Sequence, residues 1–296
     1  MGFQSVAGLA VDRLGGSRSI WNFQNRGPPM QSIPTEMIAE ISGDALRGAP
    51  QKYSDQIKHV IGTGKVVLVR GYLDRDAVHS VRETAVALNR AQPATEGKLI
   101  YRDGCDDIHN REAPQFRFRD RIRAKLERRS LRFRRFHGYK LFLWNKHDDH
   151  CDQAIHDIIL LRNRLYGAEP DFAVDMTKGF FTMVCVQHYE RGGGYLTEHS
   201  DANFHARQGL VTHFEIITLL SKKGVDYDEG GLFVRLNGRK VSVDDFADPG
   251  DLVIYDVKQP HGCAAVDAGE VADPEGRRGR WIMLVPPYSV ADFLVT

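Results

Sequence analysis

His199, Ser200 and Asp201 are followed sixty residues later by Pro260-His261-Gly262. In an extended segment, residues two apart point to one face, so His199 and Asp201 can converge on a single ion. A second imidazole, His261, arriving from a distant strand, completes a face of two histidines and one carboxylate. Such a face leaves up to three positions of an octahedral metal open, which suits non-haem Fe(II) and O2 chemistry. The chain holds 12 histidines, so the pair alone is a weak signal. His205 and His213 are rival third donors, but His205, four residues past Asp201, reads better as a substrate-side residue. The run His147-Asp148-Asp149-His150-Cys151-Asp152 is richer in donors, yet adjacent residues cannot all face one point. It immediately precedes a helical pattern, so its acids read as N-terminal caps and dipole complements.

The elements around the triad sharpen the signal. From about residue 176 the chain breaks into short apolar or alternating runs (FFTMVCVQHY, HFEIITLL, GGLFVRLNGRKVSV, DLVIYDV, RWIMLVPPYS). Between them lie RGGG, DEGG, DPGD and DPEGRRG, the turn signals of an all-β sandwich or barrel. Gly192–Gly194 are followed by no Lys-Ser/Thr, so they form a turn rather than a phosphate loop. The first half reads differently. Residues 1–34 are rich in Gly, Ser, Pro and Asn and form a leader or wrapping arm. Thr35 can cap a helix through about Leu46, and a second helix is expected at 51–61, closed by Gly62-Thr63-Gly64. Residues 65–70 (KVVLVR) form a strand ended by Gly71. Asp74 or Asp76 then opens a helix carrying Val78, Val81, Ala85 and Leu88 at helical spacing. A further helix covers about 150–166, with Gly167 as its stop. The expected class is α+β: an arm (1–34), a mostly helical support (35–175) and a β core (176–296).

Composition bounds the function classes. The 296 residues are 42% apolar, with 40 Lys+Arg against 39 Asp+Glu, so disorder along the whole chain is excluded. No run of 18 apolar residues exists, which argues against a membrane helix. The first residues lack a secretory pattern, and Val6 breaks a myristoylation motif. Four scattered cysteines with no CxxC pair argue against a disulfide scaffold or thiolate zinc, and for a reduced, cytoplasmic protein. Cys263, two residues past His261, reads as a small packing residue. The near-neutral net charge hides an asymmetry: residues 111–140 hold twelve Lys and Arg against three acids. That segment is either a solvated face pairing with the acidic remainder or a recognition surface for an anionic substrate, carrier or polymer. Within it Arg117, Arg119, Arg121 and Arg123 alternate with Phe116, Phe118 and Ile122, as on a basic ribbon.

Taken together, residues 180–288 resemble the core of the Fe(II)- and 2-oxoglutarate-dependent dioxygenases, in their prolyl-hydroxylase-like form. The resemblance rests on a tyrosine, a Gly-rich turn and HxD (Tyr189, Gly192–Gly194, His199 to Asp201); a Gly-Gly-x-Phe strand (Gly230 to Phe233); a Pro-Gly-Asp turn (Pro249 to Asp251) before His261; and an arginine opening the last strand (Arg280). The segment 51–89, with VVLVRGYL, is loosely similar to the N-terminal support of that fold. The resemblance implies a double-stranded β-helix, jelly-roll or cupin-like, with a mostly helical N-terminal region. It implies His199, Asp201 and His261 as ligands of Fe(II). Arg280 would hold the distal carboxylate of 2-oxoglutarate, with Tyr189 hydrogen-bonding to the cosubstrate or a neighbouring ligand, and O2 as co-reactant. The interval from His261 to Arg280 is longer than the family commonly shows, which leaves Arg277 and Arg278 as rival anchors; Arg280 directly precedes the apolar strand. Halogenases of this type typically carry a small residue where Asp201 stands, so hydroxylation of a C–H, with succinate and CO2 as co-products, is the expected outcome. Segment 202–212 and loops of the helical half would shape the pocket. The substrate would be a small molecule or a carrier- or protein-bound group, possibly anionic in view of residues 111–140. Nucleic acid is disfavoured because RWIMLVPPYS lacks the arginines that demethylases carry there. A metal-free binding barrel and a metal enzyme independent of 2-oxoglutarate are the competing readings.

Overall fold

The computed structural model describes residues 37–92, 94, 106–112, 134–202, 214–271 and 277–291. The expectations for the 1–34 arm, Thr35, the ribbon 116–123, His205 and His213 lie outside those residues. In chain order the elements are β1 (Ile38–Ser42), α1 (Gly43–Gly48), α2 (Pro50–Gly62), β2 (Val66–Arg70), α3 (Arg75–Ala91), β3 (Ile108–Glu112), β4 (Arg134–Phe142) and α4 (Asp149–Tyr166). There follow β5 (Phe180–Glu190), β6 (Gly194–His199), β7 (Phe214–Leu219), β8 (Gly231–Leu236), β9 (Arg239–Ser242), β10 (Leu252–Asp256), β11 (His261–Val266), β12 (Gly279–Leu284) and β13 (Pro287–Ser289).

From β5 onward the strands alternate between two sheets. One runs β10-β7-β12-β5 and the other β6-β11-β8-β9. Each turn signal read from the sequence therefore carries the chain from one sheet to the other, apart from the β8–β9 hairpin, and the result is a double-stranded β-helix. β2 and then β1 extend the first sheet beyond β10, while β4 flanks β5 on the other side. β4 also pairs with β6 through Arg134↔Leu196 and Arg135↔Tyr195, and so bridges the two sheets.

The first sheet is covered on both faces, which explains why its strands read as unbroken apolar runs instead of alternating ones. In β2, Val67 and Val69 turn outward and pack with Val81 and Ala85 of α3 and Ile155 and Ile158 of α4. Val66 and Leu68 turn inward, with Ile217, Leu232, Val253 and Ile282. The helices are ended as their sequences suggest. The Asp74 side chain accepts from the Ala77 N–H, the Asp148 side chain accepts from the His150 N–H, and Gly167 takes the left-handed conformation at φ 68°.

The stretch expected to be helical through Leu46 departs from its sequence pattern. Residues 38–42 form an edge strand parallel to β2, and only Gly43–Gly48 turn helical. Pairing along the open side of β2, with Glu40 bridged to Arg70 at 2.6 Å, outweighs local helix preference there. Among its described residues the support region contributes four strands as well as four helices. The Pro-Gly-Asp turn joins the two halves. Gly250 has φ 92°, and a side chain there would meet the Leu73 carbonyl oxygen at 2.2 Å. Asp251 accepts from the Gly71 N–H at 2.7 Å and from Arg70 at 3.0 Å.

Of the donor-rich run 147–152, His147 is clamped between two carboxylates: Nε2 to Asp107 Oδ2 at 2.7 Å and Nδ1 to Asp152 Oδ1 at 2.8 Å. Burial works against its charge, but hydrogen bonds to Asp107 and Asp152 outweigh it and raise its pKa. A raised folded pKa stabilises the fold fully below the unfolded value of about 6.5 and loses that contribution as pH rises through the folded value. The His147→Gln variant should therefore be less stable by about 1.5–3 kcal/mol at pH 6. The gap to wild type should close as the pH rises above neutrality, as read from thermal midpoints measured between pH 5.5 and 9.

Candidate active site

β6 and β11 are antiparallel neighbours, and His199 and His261 are direct register partners. Opposed residues of such a pair lie about 4.5–5.5 Å apart at Cα, so two histidines there must meet. Their ring centroids are 4.3 Å apart. Asp201 lies two residues beyond the end of the strand. Its N–H donates to the Val257 carbonyl, and the Ser200 hydroxyl donates to the same oxygen at 2.9 Å, which pins the HxD segment to the end of β10. Asp201 Oδ2 lies 3.6 Å from His199 Nε2 and 3.3 Å from His261 Nε2. Donors about 2.1 Å from one ion at right angles are about 3 Å apart, so these three atoms are spaced to share an ion.

Proton positions suit the same role. His199 Nδ1 is 2.8 Å from the Thr197 carbonyl oxygen, and His261 Nδ1 is 3.0 Å from that of Gln259. A carbonyl can only accept, so each Nδ1 carries a hydrogen, which leaves each Nε2, on the side of Asp201, as the atom that could ligate an ion. That is how metal-ligating histidines are oriented. Among the described residues, His199, Asp201 and His261 form the one cluster of three such donors close enough to hold a metal.

The triad borders a cavity of about 270 Å³ between the two sheets, and Arg280 lies on the lining of the same cavity. Arg280 is 1% exposed and pairs with Asp244, which is 4% exposed: Nε donates to Oδ2 at 2.5 Å and Nη2 to Oδ1 at 3.2 Å. Asp244 Oδ2 also accepts from the Tyr227 hydroxyl at 2.5 Å and from the Leu232 N–H at 2.8 Å. Burial disfavours the guanidinium charge, yet the Asp244 carboxylate outweighs it and holds the pKa well above the ordinary value. The Gly-Gly strand exists for this contact, since a side chain on Gly231 (φ 100°) would strike Asp244 Oδ2 at 2.3 Å. A guanidinium carries five N–H donors. Two are spent on Asp244 along the Nε/Nη2 edge, and a further hydrogen bond joins the group to the Cys263 thiol; the Nη1/Nη2 edge is the one on which a carboxylate could form a bidentate fork.

Neither rival arginine lines the cavity. Arg277 points outward to Glu83 at 3.4 Å, and the exposed Arg278 gives its carbonyl oxygen to His188 Nε2 at 3.0 Å. Tyr189 lies under the Arg280 guanidinium, 5.5 Å from ring centroid to Cζ, and its hydroxyl donates to Gln187 Oε1 at 2.7 Å. Cys263 is buried in the cavity wall, and burial pushes its thiol up to about 12. Three residues that sequence reasoning passed over belong to this site. Asp244 orients Arg280. Tyr255 stands against His261, centroids 4.9 Å apart, and its buried hydroxyl has no hydrogen-bond partner among the described residues. Lys140, hidden in the basic segment, faces the same cavity. An orphaned hydroxyl and a half-used guanidinium on one cavity wall are what an oxygen-rich anion would satisfy.

The other basic residues described within 111–140 are each paired, Arg134 beside Lys140 on the cavity lining. Arg111 and Arg135 both reach Glu190, and Arg134 reaches Glu112. Burial would raise the Glu190 pKa, but its hydrogen bonds to His137 and Arg135 and these charges lower it to about 2. Cys151, Cys185 and Cys263 are buried free thiols. No helix among the described residues is long and apolar enough to cross a membrane.

No family model matches the chain, and no curated protein matches it in sequence. Among solved structures it is similar to a Trichoplax adhaerens prolyl hydroxylase in complex with a hypoxia-inducible-factor peptide fragment. That match has 13% identity, covers 84% of this chain and 94% of that one, and has a TM-score of 0.48. It is also similar to a Pseudomonas putida prolyl-4-hydroxylase (13% identity, 80% and 97% covered, TM-score 0.46). A third is the non-haem, α-ketoglutarate-dependent epimerase SnoN of nogalamycin biosynthesis (13% identity, 82% and 84% covered, TM-score 0.46). At this identity and these scores the likenesses fix neither an activity nor a substrate for the chain.

The donor geometry makes its own prediction. The purified protein should bind one Co(II) or Zn(II) per chain in equilibrium dialysis. His199→Ala and His261→Ala should each weaken binding by at least about 100-fold. Undiminished binding in both variants would place the ion elsewhere.

Proposed function

We propose that this protein is a non-haem Fe(II)- and 2-oxoglutarate-dependent oxygenase that hydroxylates an unactivated C–H of a small or carrier-bound substrate. The observation that carries the reading is the pairing of an open-faced His199–Asp201–His261 triad with a buried arginine across one cavity, Arg280 retaining a single bidentate edge. His199, Asp201 and His261 would hold the iron through Nε2, a carboxylate oxygen and Nε2. When bound, the ferrous ion, 2-oxoglutarate and O2 together supply an oxidant able to take hydrogen from a C–H bond, with succinate and CO2 released.

The protein's share is positioning. The Nη1/Nη2 edge of Arg280 takes the far carboxylate of the cosubstrate, and Asp244 keeps that edge aimed into the cavity by occupying the other one. The Tyr255 hydroxyl, beside His261, offers one more donor to an oxygen-rich ligand. Gln187 fixes the Tyr189 ring beneath the guanidinium, where the aromatic face supports the cation. The apolar wall of Ile217, Leu232 and Ile282 excludes water from the reacting centre. Asp201 fills the position that would otherwise admit a halide, which favours hydroxyl return to the substrate carbon.

Turnover of 2-oxoglutarate to succinate, with Fe(II) and O2, tests the reading even before the substrate is known. Wild type should release succinate slowly without substrate, and His199→Ala should abolish it. Arg280→Met should raise the KM for 2-oxoglutarate by about tenfold or more, the loss of a charge-assisted fork. Succinate formed by His199→Ala at the wild-type rate would end the proposal. A metal-dependent activity indifferent to Arg280→Met would instead favour an enzyme that does not use 2-oxoglutarate.

A further inference from the structure

Lys140 and Arg134 are the cationic groups of the cavity lining that the proposed chemistry leaves unused, and Arg134 is already paired with Glu112. Lys140 sits on the inward face of β4, opposite Cys185 of β5, which in turn pairs with Leu284 of β12. Arg280 and Tyr189 form the corresponding row four residues away. At about 3.3 Å per residue the two rows are about 13 Å apart along the strands, so Lys140 and Arg280 mark separate stations of one cavity. The Lys140 ammonium makes one hydrogen bond, donating to Cys185 Sγ at 3.0 Å, and it makes no ion pair among the described residues. A thiol is a weak acceptor, and an ammonium has three hydrogens to give. By contrast the neighbouring Arg111, Arg134 and Arg135 each have a carboxylate. The same lining carries Glu112, which is taken by Arg134, and Glu215, and turning an ammonium into it costs solvation that a methionine of similar length would not.

The other donors on this wall point the same way. Gln187, one inward position along β5 from Cys185, spends its amide oxygen on Tyr189, leaving its NH2 group as the end that can meet a ligand. We infer that Lys140, with the Gln187 amide, forms a subsite for a carboxylate of the substrate, and that the substrate is a small organic acid. This rests on the reading of the triad and Arg280 as the iron and 2-oxoglutarate site, since that cosubstrate occupies Arg280 and leaves Lys140 for the second ligand. The size of the cavity sets the scale. At about 270 Å³ it lies near the lower end of small-molecule sites. With a five-carbon dicarboxylate inside, only a compact substrate group fits, so the acid recognised by Lys140 lies within a few bonds of the oxidised carbon.

The test uses butyrate and benzoate, each beside its uncharged primary amide, with full-length protein loaded with Zn(II) and saturated with 2-oxoglutarate. Dissociation constants are read by ligand-observed NMR. Each acid should bind at least about tenfold more tightly than its amide, the scale of a hydrogen bond to a charged group. Lys140→Met should erase that preference, Lys140→Arg should keep it, and 2-oxoglutarate affinity should be unchanged in both. Lys140→Gln replaces the methionine variant if the latter does not fold. Equal binding of acid and amide by wild type, no binding of either acid, or an acid preference that survives loss of Lys140 would overturn the inference. If 2-oxoglutarate itself does not bind wild type, the proposed function falls. The acid–amide comparison, repeated without cosubstrate on wild type and Lys140→Met, still decides the role of Lys140.

Discussion

The constraint on which the rest depends is a register: His199 of β6 stands directly opposite His261 of β11. A slip of one residue would send every side chain of one strand to the other face and separate the two imidazoles. The fold fixes this register from several sides. Ser200 and the Asp201 N–H are tied to Val257 at the end of β10, and β11 is flanked on its far side by β8, with His261 paired to Val234. The imidazoles are then oriented by backbone carbonyls two residues before each, so the strands that carry the donors also set their tautomers. No side chain outside the local strands is needed to make the triad.

The arginine station is built on the opposite principle. Arg280 comes from β12 of the first sheet, while Asp244 follows β9 of the second, so their contact crosses the barrel interior. Burying such a pair costs solvation of both ions, and removing one partner alone typically costs about 3–5 kcal/mol. An apolar pair would fill the space more cheaply, so stability does not account for it. What the pair supplies is direction: a guanidinium locked along one edge cannot swing, and it is held on the cavity lining. Tyr227 and the Leu232 N–H in turn lock Asp244, and the absence of a side chain at Gly231 makes room for it. Stiffness here comes from satisfied polar contacts rather than from regular backbone pairing.

Much of this was legible in the sequence, for physical reasons. Period-two alternation and Gly/Asp breaks mark strands that must change direction. A histidine and an acid two apart on such a strand share a face, and an arginine heading an apolar strand has only a buried place to go. The parts that stayed hidden are those decided by distant chain. Asp244 lies beside Asp245, and nothing in VSVDDFADPG tells a buried acid from a solvated one. Tyr255 sits in an apolar run on a sheet covered on both faces, where inward and outward residues look alike. Lys140 belongs to a segment whose described arginines are each paired with a carboxylate, so its inward turn follows from the parity of β4 and not from its composition. β1 reads as helix because its partner, β2, is an edge that only the assembled sheet creates.

These observations also explain why β4 matters beyond support. It is the strand that pairs with both β5 and β6, and its two faces do different work. Arg135, His137 and Tyr139 look outward. There, His109, Tyr139, Trp281 and His188 stack in a column with centroids 4.7, 5.8 and 4.0 Å apart. Burial lowers His188 to about 3 and His109 to about 4, so both rings are neutral and pack as aromatics at neutral pH. Phe136 and Lys140 look inward, with Phe136 against Tyr189 at 5.1 Å. The outer column holds β4 from one face and Phe136, in the inner core, holds it from the other. Lys140, farther along the inward face, lies on the cavity lining while the strand, and with it β6 and His199, stays in place.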